Sequence, residues 1–198
     1  MSERLLNNYY NWGGFNQPAR IGYVMKLIRK LRPITEEEWK IWYLENVHDE
    51  AYLERLATEM FDTIPKSYKV SVDECKEYIY DVMFRRTFQG YNKEKLALKV
   101  LRSLVSPNIQ ESPEEWDTLF FIDFFVKGEN KRLIGIQLKP ETFYQGHYQY
   151  IVDIEGKMKA FREKFDALTY VLIYRNDTNN AEIKIINQKV IDEIKSVL

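Results

Sequence analysis

Through the first half of the chain, apolar residues recur at helical spacing. In "PARIGYVMKLIRKLR" the positions Ile21, Val24, Leu27, Ile28 and Leu31 share one helical face. Thr35 followed by Glu38 is a capping box opening "EEEWKIWYLENV", whose Trp39, Trp42 and Tyr43 form an aromatic face. Ser71 and Glu74 repeat that signature ahead of "VDECKEYIYDVMFRRTF". Upstream, "NNYYNWGGFNQ" reads as a loop broken by Gly13-Gly14, with Asn16 as a cap ahead of Pro18.

Around Gly90 the pattern changes. "YNKEKLALKVLRSLV" predicts a helix with Leu96, Val100, Leu101 and Leu104 on one side and Glu94 in its first turn. "SPNIQESPEEWD" reads as a loop holding two prolines. "TLFFIDFFV", the turn "KGENK" and "RLIGIQLK" then predict a β-hairpin. "HYQYIVDIEGKMKAFREKF" reads as a helix interrupted or strained at Gly156. Two short apolar runs, "LTYVLIYR" and "AEIKIIN", follow as strands. "QKVIDEIKSVL" closes as a helix that Asn187 would cap. The chain is therefore expected to be of α/β class, an α+β mixed sheet with helices on both faces, preceded by an N-terminal helical region. The boundary falls between 1–89, the region expected to serve DNA contact and dimerisation, and 90–198, with both expected to form one compact unit.

Composition narrows the class. Of the 198 residues, 45% are hydrophobic and 15% aromatic, enough to build a globular core. No apolar run approaches the ~20 residues of a membrane span, and the start lacks a signal-peptide core. A lone cysteine, Cys75, excludes an internal disulfide framework and suits a reducing cytoplasm. With His48 and His147 as the only histidines, soft ligands are too few for structural zinc, so a metal would be a hard ion held by oxygen.

The net charge of −1 conceals a pattern. Residues 1–33 carry +5, residues 34–81 carry −8, and residues 82–110 return to +5. Two basic segments around an acidic one fit a surface that is locally positive for a polyanion.

The hairpin holds the candidate chemistry. With the turn centred on Glu129–Asn130, Asp123 falls opposite position 136, or opposite 137 after a one-residue shift. Gln137 and Lys139 share a face because strand side chains alternate. Asp123, Gln137 and Lys139 thus converge at one end of an apolar hairpin. A buried carboxylate in "FFIDFF" requires partners or a cation, and pairing with Lys139 alone would satisfy it.

Asp-x13-Gln-x-Lys, set between helices and following Glu94, resembles the PD-(D/E)XK nuclease superfamily. The segments "GFNQPARIGYVMKLI", "EEWKIWYLENV", "RTFQGYNKEKLALKVL" and "IDFFVKGENKRLIGIQLKPETF" together resemble the MjaI family of type II restriction endonucleases. That resemblance implies Mg²⁺-dependent cleavage of double-stranded DNA at a short palindrome such as CTAG, with Mn²⁺ able to substitute for Mg²⁺. It implies Asp123 and Lys139 as catalytic, Asp123 and Gln137 as metal ligands, and Glu94 as an accessory acid. Gln137 stands where Glu or Asp is commoner, offering an oxygen without charge. Asp117 is a rival acid, placed in the Pro-rich loop exit. Two other readings are a less specific nuclease of repair or phage origin and a non-catalytic DNA-binding module on the same fold.

For DNA contact, Arg20, Arg85, Arg86 and Lys93 lie in or beside the basic segments. Gln145, His147 and Gln149 follow the candidate strand; Gln can read adenine through paired hydrogen bonds. Lys157, Lys159, Arg162 and Lys164 read chiefly as a solvated helix face, with phosphate contact as the second reading. Cutting both strands of a palindrome calls for two sites, hence a homodimer, expected to pack through Trp39, Trp42, Tyr43 and Tyr52. A cognate DNA methyltransferase is the implied partner in the host.

Overall fold

A computed structural model describes residues 3–145, 148–177 and 182–198. The chain divides into two compact units, residues 1–92 and 93–198.

The first unit is helical: α1 (Glu3–Trp12), α2 (Pro18–Ile21), α3 (Val24–Leu31), α4 (Glu36–Asn46), α5 (Glu50–Thr63) and α6 (Val72–Tyr80), followed by a π-helical turn over Asp81–Arg86 and the start of α7 (Thr87–Leu104). Both predicted capping boxes form. Thr35 and Ser71 each accept from the backbone of Glu38 and Glu74, whose carboxylates reach back to the caps. Residues 7–12 of the predicted loop instead belong to α1, because Leu6 and Tyr10, one turn apart, bury one face, while residues 13–17 turn as expected. The predicted helix from Pro18 splits at Gly22, whose φ of 72° suits glycine and ends α2. Asn16 is not its cap: Gln17 takes that position, and the Asn16 amide donates to Asn11 Oδ1 at 2.9 Å.

The aromatic face of α4 is core. Trp39 and Tyr43 are fully buried, and their polar ends are satisfied: Trp39 Nε1 donates to Met83 O and Tyr43 Oη to Ile21 O, both at 2.9 Å. A dimer interface built on these two rings is therefore ruled out, since the unit itself consumes them. Cys75 is also buried, and burial pushes its thiol up to about 11.

The second unit begins within α7, which runs through Gly90 without a break. Glu94 thus lies in the helix interior rather than its first turn, and Leu104 is exposed while Ala97 and Leu101 carry the buried face. Next come β1 (Gln110–Glu111), α8 (Glu114–Phe120), β2 (Phe124–Lys127), β3 (Leu133–Pro140), α9 (Tyr148–Phe165), β4 (Leu168–Asp177), β5 (Glu182–Ile185) and α10 (Gln188–Lys195).

Among the described residues the sheet has five strands in the order β1-β2-β3-β4-β5. β3 and β4 are parallel and the other pairs antiparallel, so the sheet is mixed. Helices cover both faces. Ala97 and Leu101 of α7 and Ile191 and Ile194 of α10 pack with Ile134, Ile136 and Leu172 on one side. Phe120 of α8 and Ile154, Met158 and Phe161 of α9 pack with Ile122 and Ile173 on the other.

Four local expectations change here. The region read as a Pro-rich loop supplies both β1 and α8, and β2 is shortened to four residues because "TLF" joins α8. Trp116 drives this override, its ring edge-on to Phe125 at 5.2 Å and to Phe161 at 5.1 Å. α9 passes Gly156 unbroken. Asn187 does not cap α10 through its side chain. Its Oδ1 accepts from Ile173 N at 2.8 Å and its Nδ2 donates to Val171 O at 2.9 Å, tying the chain to β4.

Candidate active site

The hairpin register is Phe124↔Ile136 and Phe125↔Gly135. Its continuation sets Asp123 opposite Gln137, the shifted alternative of the two read from sequence. Gly135 is needed there: a Cβ would meet Ile122 Cδ1 at 2.9 Å and Phe161 Cε1 at 3.1 Å. A bare α-carbon lets Ile122 and α9 close on β3, which seats the next residue, Asp123, against the strand.

At Asp123 the backbone ladder gives way to the side chain. The N–H of Leu138 donates to Asp123 Oδ2 at 2.7 Å, and Gln137 Nε2 donates to the same oxygen. Gln137 is almost fully buried, and its Oε1 has no hydrogen-bond partner among the described residues. Beside the carboxylate there is therefore a second buried oxygen with an unused acceptor.

Burial pushes the Asp123 carboxyl up to about 7. The Leu138 N–H and the charge of Lys139 oppose that rise, while Asp117 and, more weakly, Glu94 add to it. Lys139, two residues beyond Gln137 on β3, thus acts on Asp123 through charge. Its Nζ lies 5.9 Å from the ring centres of both Phe121 and Phe143.

Asp117 belongs to α8, not to a loop, and outranks Glu94 in its influence on Asp123. Among the described residues no three of His, Cys, Asp and Glu cluster as a metal cage. A hard cation needing few protein oxygens and keeping several waters fits one carboxylate and one spare amide oxygen.

Three of the other predicted contacts pair with acids of the first unit. Arg85 pairs with Asp81, and Arg86 bridges Asp81 at 2.6 Å and Glu3 at 2.9 Å, an arrangement the wide π-turn permits. Arg20 pairs with Glu59 at 2.8 Å and lies over the Phe15 ring. Lys93 is exposed on α7. His147 and the side chains of Gln145 and Gln149 lie outside the described residues.

Ser112 escaped the sequence, and so did the ring on which Lys157 sits. Ser112 donates its N–H to Asp123 O at 2.9 Å, and its buried Oγ has no partner among the described residues. Lys157 of α9 sets its Nζ 3.9 Å from the centre of the Phe121 ring. Its position one residue before the buried Met158 was the available signal for Lys157; for Ser112 there was none.

Comparison with known proteins agrees with the sequence resemblance. The family model described as MjaI restriction endonuclease matches residues 3–195. The chain is 23% identical over 170 residues to the type II restriction enzyme MjaI of Methanocaldococcus jannaschii, which covers 80% of this chain and 72% of that protein. No solved structure matches.

Proposed function

The chain belongs to the MjaI restriction endonuclease family, and we propose that it cuts double-stranded DNA at a short palindrome through a Mg²⁺-dependent PD-(D/E)XK-type site. The observation that carries this reading is the half-buried Asp123 carboxylate beside the buried Gln137 Oε1, which has no partner among the described residues, with Lys139 next on the same face of β3.

Asp123 and Gln137 would hold the cation. A bound Mg²⁺ supplies Lewis acidity, polarising the phosphate and lowering the pKa of its water. The chain's own groups do the rest. The Leu138 N–H fixes one carboxylate oxygen in place, so Asp123 presents its charge without reorganisation. Lys139 brings a positive charge to the same end of β3, where it can steady an attacking hydroxide or the developing phosphorane charge. Asp117 and Glu94 add negative potential that favours a dication over a lysine as the final partner of Asp123.

A cut through both strands of a palindrome requires two such sites related by the twofold axis of the DNA, which a homodimer supplies. Incubating the purified chain with a sequenced phage DNA and Mg²⁺, then mapping the ends, tests the whole reading. Discrete fragments sharing one palindromic end are expected. A smear would replace specificity with general nuclease action, and a mobility shift without cleavage would leave only binding. Full activity in excess EDTA would overturn the metal.

A further inference from the structure

We propose that Lys157 contacts a DNA phosphate beside Lys139, so that two lysines from different elements grip the backbone at the candidate site. The inference rests on the endonuclease reading and extends it to a residue that the motif does not contain.

Position is the first argument. β3 and β4 are parallel and joined through α9, so α9 runs back against the strands. Phe161 of α9 sits at the level of Gly135, where an added Cβ would touch it. Four residues earlier on a helix is a rise of about 6 Å, close to two residues of a strand. Lys157 therefore lies level with Gln137, at the end of β3 that carries Lys139.

Its seat is the second argument. The Lys157 ammonium lies 3.9 Å from the centre of the Phe121 ring, and the Lys139 ammonium lies 5.9 Å from the same centre. The two charges are thus within about 10 Å of each other, a span that one phosphate or two neighbouring ones can bridge. Phe121 holds a left-handed backbone, with φ of 54°, two residues before Asp123. Such a conformation in a bulky residue is costly and needs support from its surroundings.

The third argument is charge. On the same helix Lys159 pairs with Glu163 and Arg162 with Glu155. Lys157 has no acidic partner among the described residues; its polar contact is the Thr118 carbonyl, at 3.4 Å. A lysine that served only to cap α8 would add stability but no affinity for DNA.

Two measurements decide between these roles. In the first, the wild type, Lys157→Met and Lys159→Gln are titrated with the duplex that the wild type cuts, in Ca²⁺ over a range of salt. Methionine keeps the stem and its contact with the ring while removing the charge. Lys157→Met should bind with a log K against log salt slope about 0.9 shallower than wild type, and Lys159→Gln with an unchanged slope. An unchanged slope for Lys157→Met overturns the proposal. In the second, lysine acetylation of the wild type is mapped with and without duplex, which needs no variant to fold. Protection of Lys157 is expected, and equal modification in both states overturns the contact. A wild type that binds duplex without cutting it would sink the endonuclease reading yet leave Lys157 open to both measurements; one that binds no duplex overturns both.

Discussion

Gln137 donates its amide hydrogen to Asp123 Oδ2, the same oxygen that accepts the N–H of Leu138. Both donors belong to β3, so the carboxylate is bound as though it were part of the sheet. These bonds hold its position but do not offset burial, and its pKa stays raised.

Stability should therefore depend on the ionisation of Asp123. The unfolded carboxyl titrates near the ordinary value of 3.8 and the folded one near 7. Between these values the folded chain keeps a proton that the unfolded chain has lost. This group's contribution is present below the lower value and is lost as pH rises through the upper one, by at most roughly 4 kcal/mol. Asp123→Asn removes that dependence. Thermal melts in EDTA should show the variant gaining on wild type between pH 5 and pH 8; a constant difference would contradict the buried, raised carboxyl.

Lys139→Ala separates chemistry from binding. Lys139 is half-buried at the end of β3, and removing it leaves the Asp123–Gln137 and Asp123–Leu138 bonds in place. Cleavage should fall by about 10²-fold or more while duplex binding in Ca²⁺ persists and the melting temperature changes little. Glu94→Gln should cost far less, since it acts on Asp123 only at a distance. Wild-type cutting by Lys139→Ala would restore a purely structural role for the lysine.

What the sequence revealed follows from the range of the forces involved. Capping boxes are written in four consecutive residues, and both formed where Thr35 and Ser71 placed them. Strand alternation set Gln137 and Lys139 on one face, and the hairpin turn limited Asp123 to two partners. Glycine was the poorer guide. Gly90 and Gly156 each cost only about 1 kcal/mol of helix propensity, which the flanking helix-forming residues outweigh, and no neighbour within 4 Å requires glycine at either. α8 was hidden because "TLFF" has strand composition, and only the distant Phe161 and Phe165 draw Trp116 and Phe120 into a helix. The orphaned Oε1 of Gln137 and the ring beneath Lys157 depend on elements far apart in sequence, and no local pattern encodes them.

A homodimer would need a surface other than the one expected from the sequence. Trp39 and Tyr43 cannot form the contact, and the large apolar residues left exposed on the first unit include Trp12, Tyr23, Ile34 and Ile41. Sedimentation with cognate duplex should give the mass of two 23.8 kDa chains plus one duplex. Alanine at Trp39 should unfold the unit rather than merely dissociate it, costing about 3–5 kcal/mol. A monomer that nicks one strand, with or without DNA, would remove the homodimer.

Gln137→Glu tests the metal reading most directly, because it puts a charge on the buried oxygen beside Asp123 that has no partner among the described residues. A second carboxylate beside Asp123 would repel it, and the two would share a proton in the metal-free chain, where the Gln137 amide now donates its own hydrogen. At pH 8.5 that proton is displaced readily, and an added negative charge a few ångströms from a dication strengthens its binding by on the order of tenfold or more. At pH 6 the proton competes, and the gain should shrink. Thermal unfolding over a Mg²⁺ titration reads this without any cleavage: the variant should reach its full stabilisation at lower Mg²⁺ than wild type at pH 8.5, and lose the advantage at pH 6. Gln137→Ala should bind Mg²⁺ more weakly than either. If all three melt identically over the titration, residue 137 does not face the cation, and Asp123 must hold it with other groups.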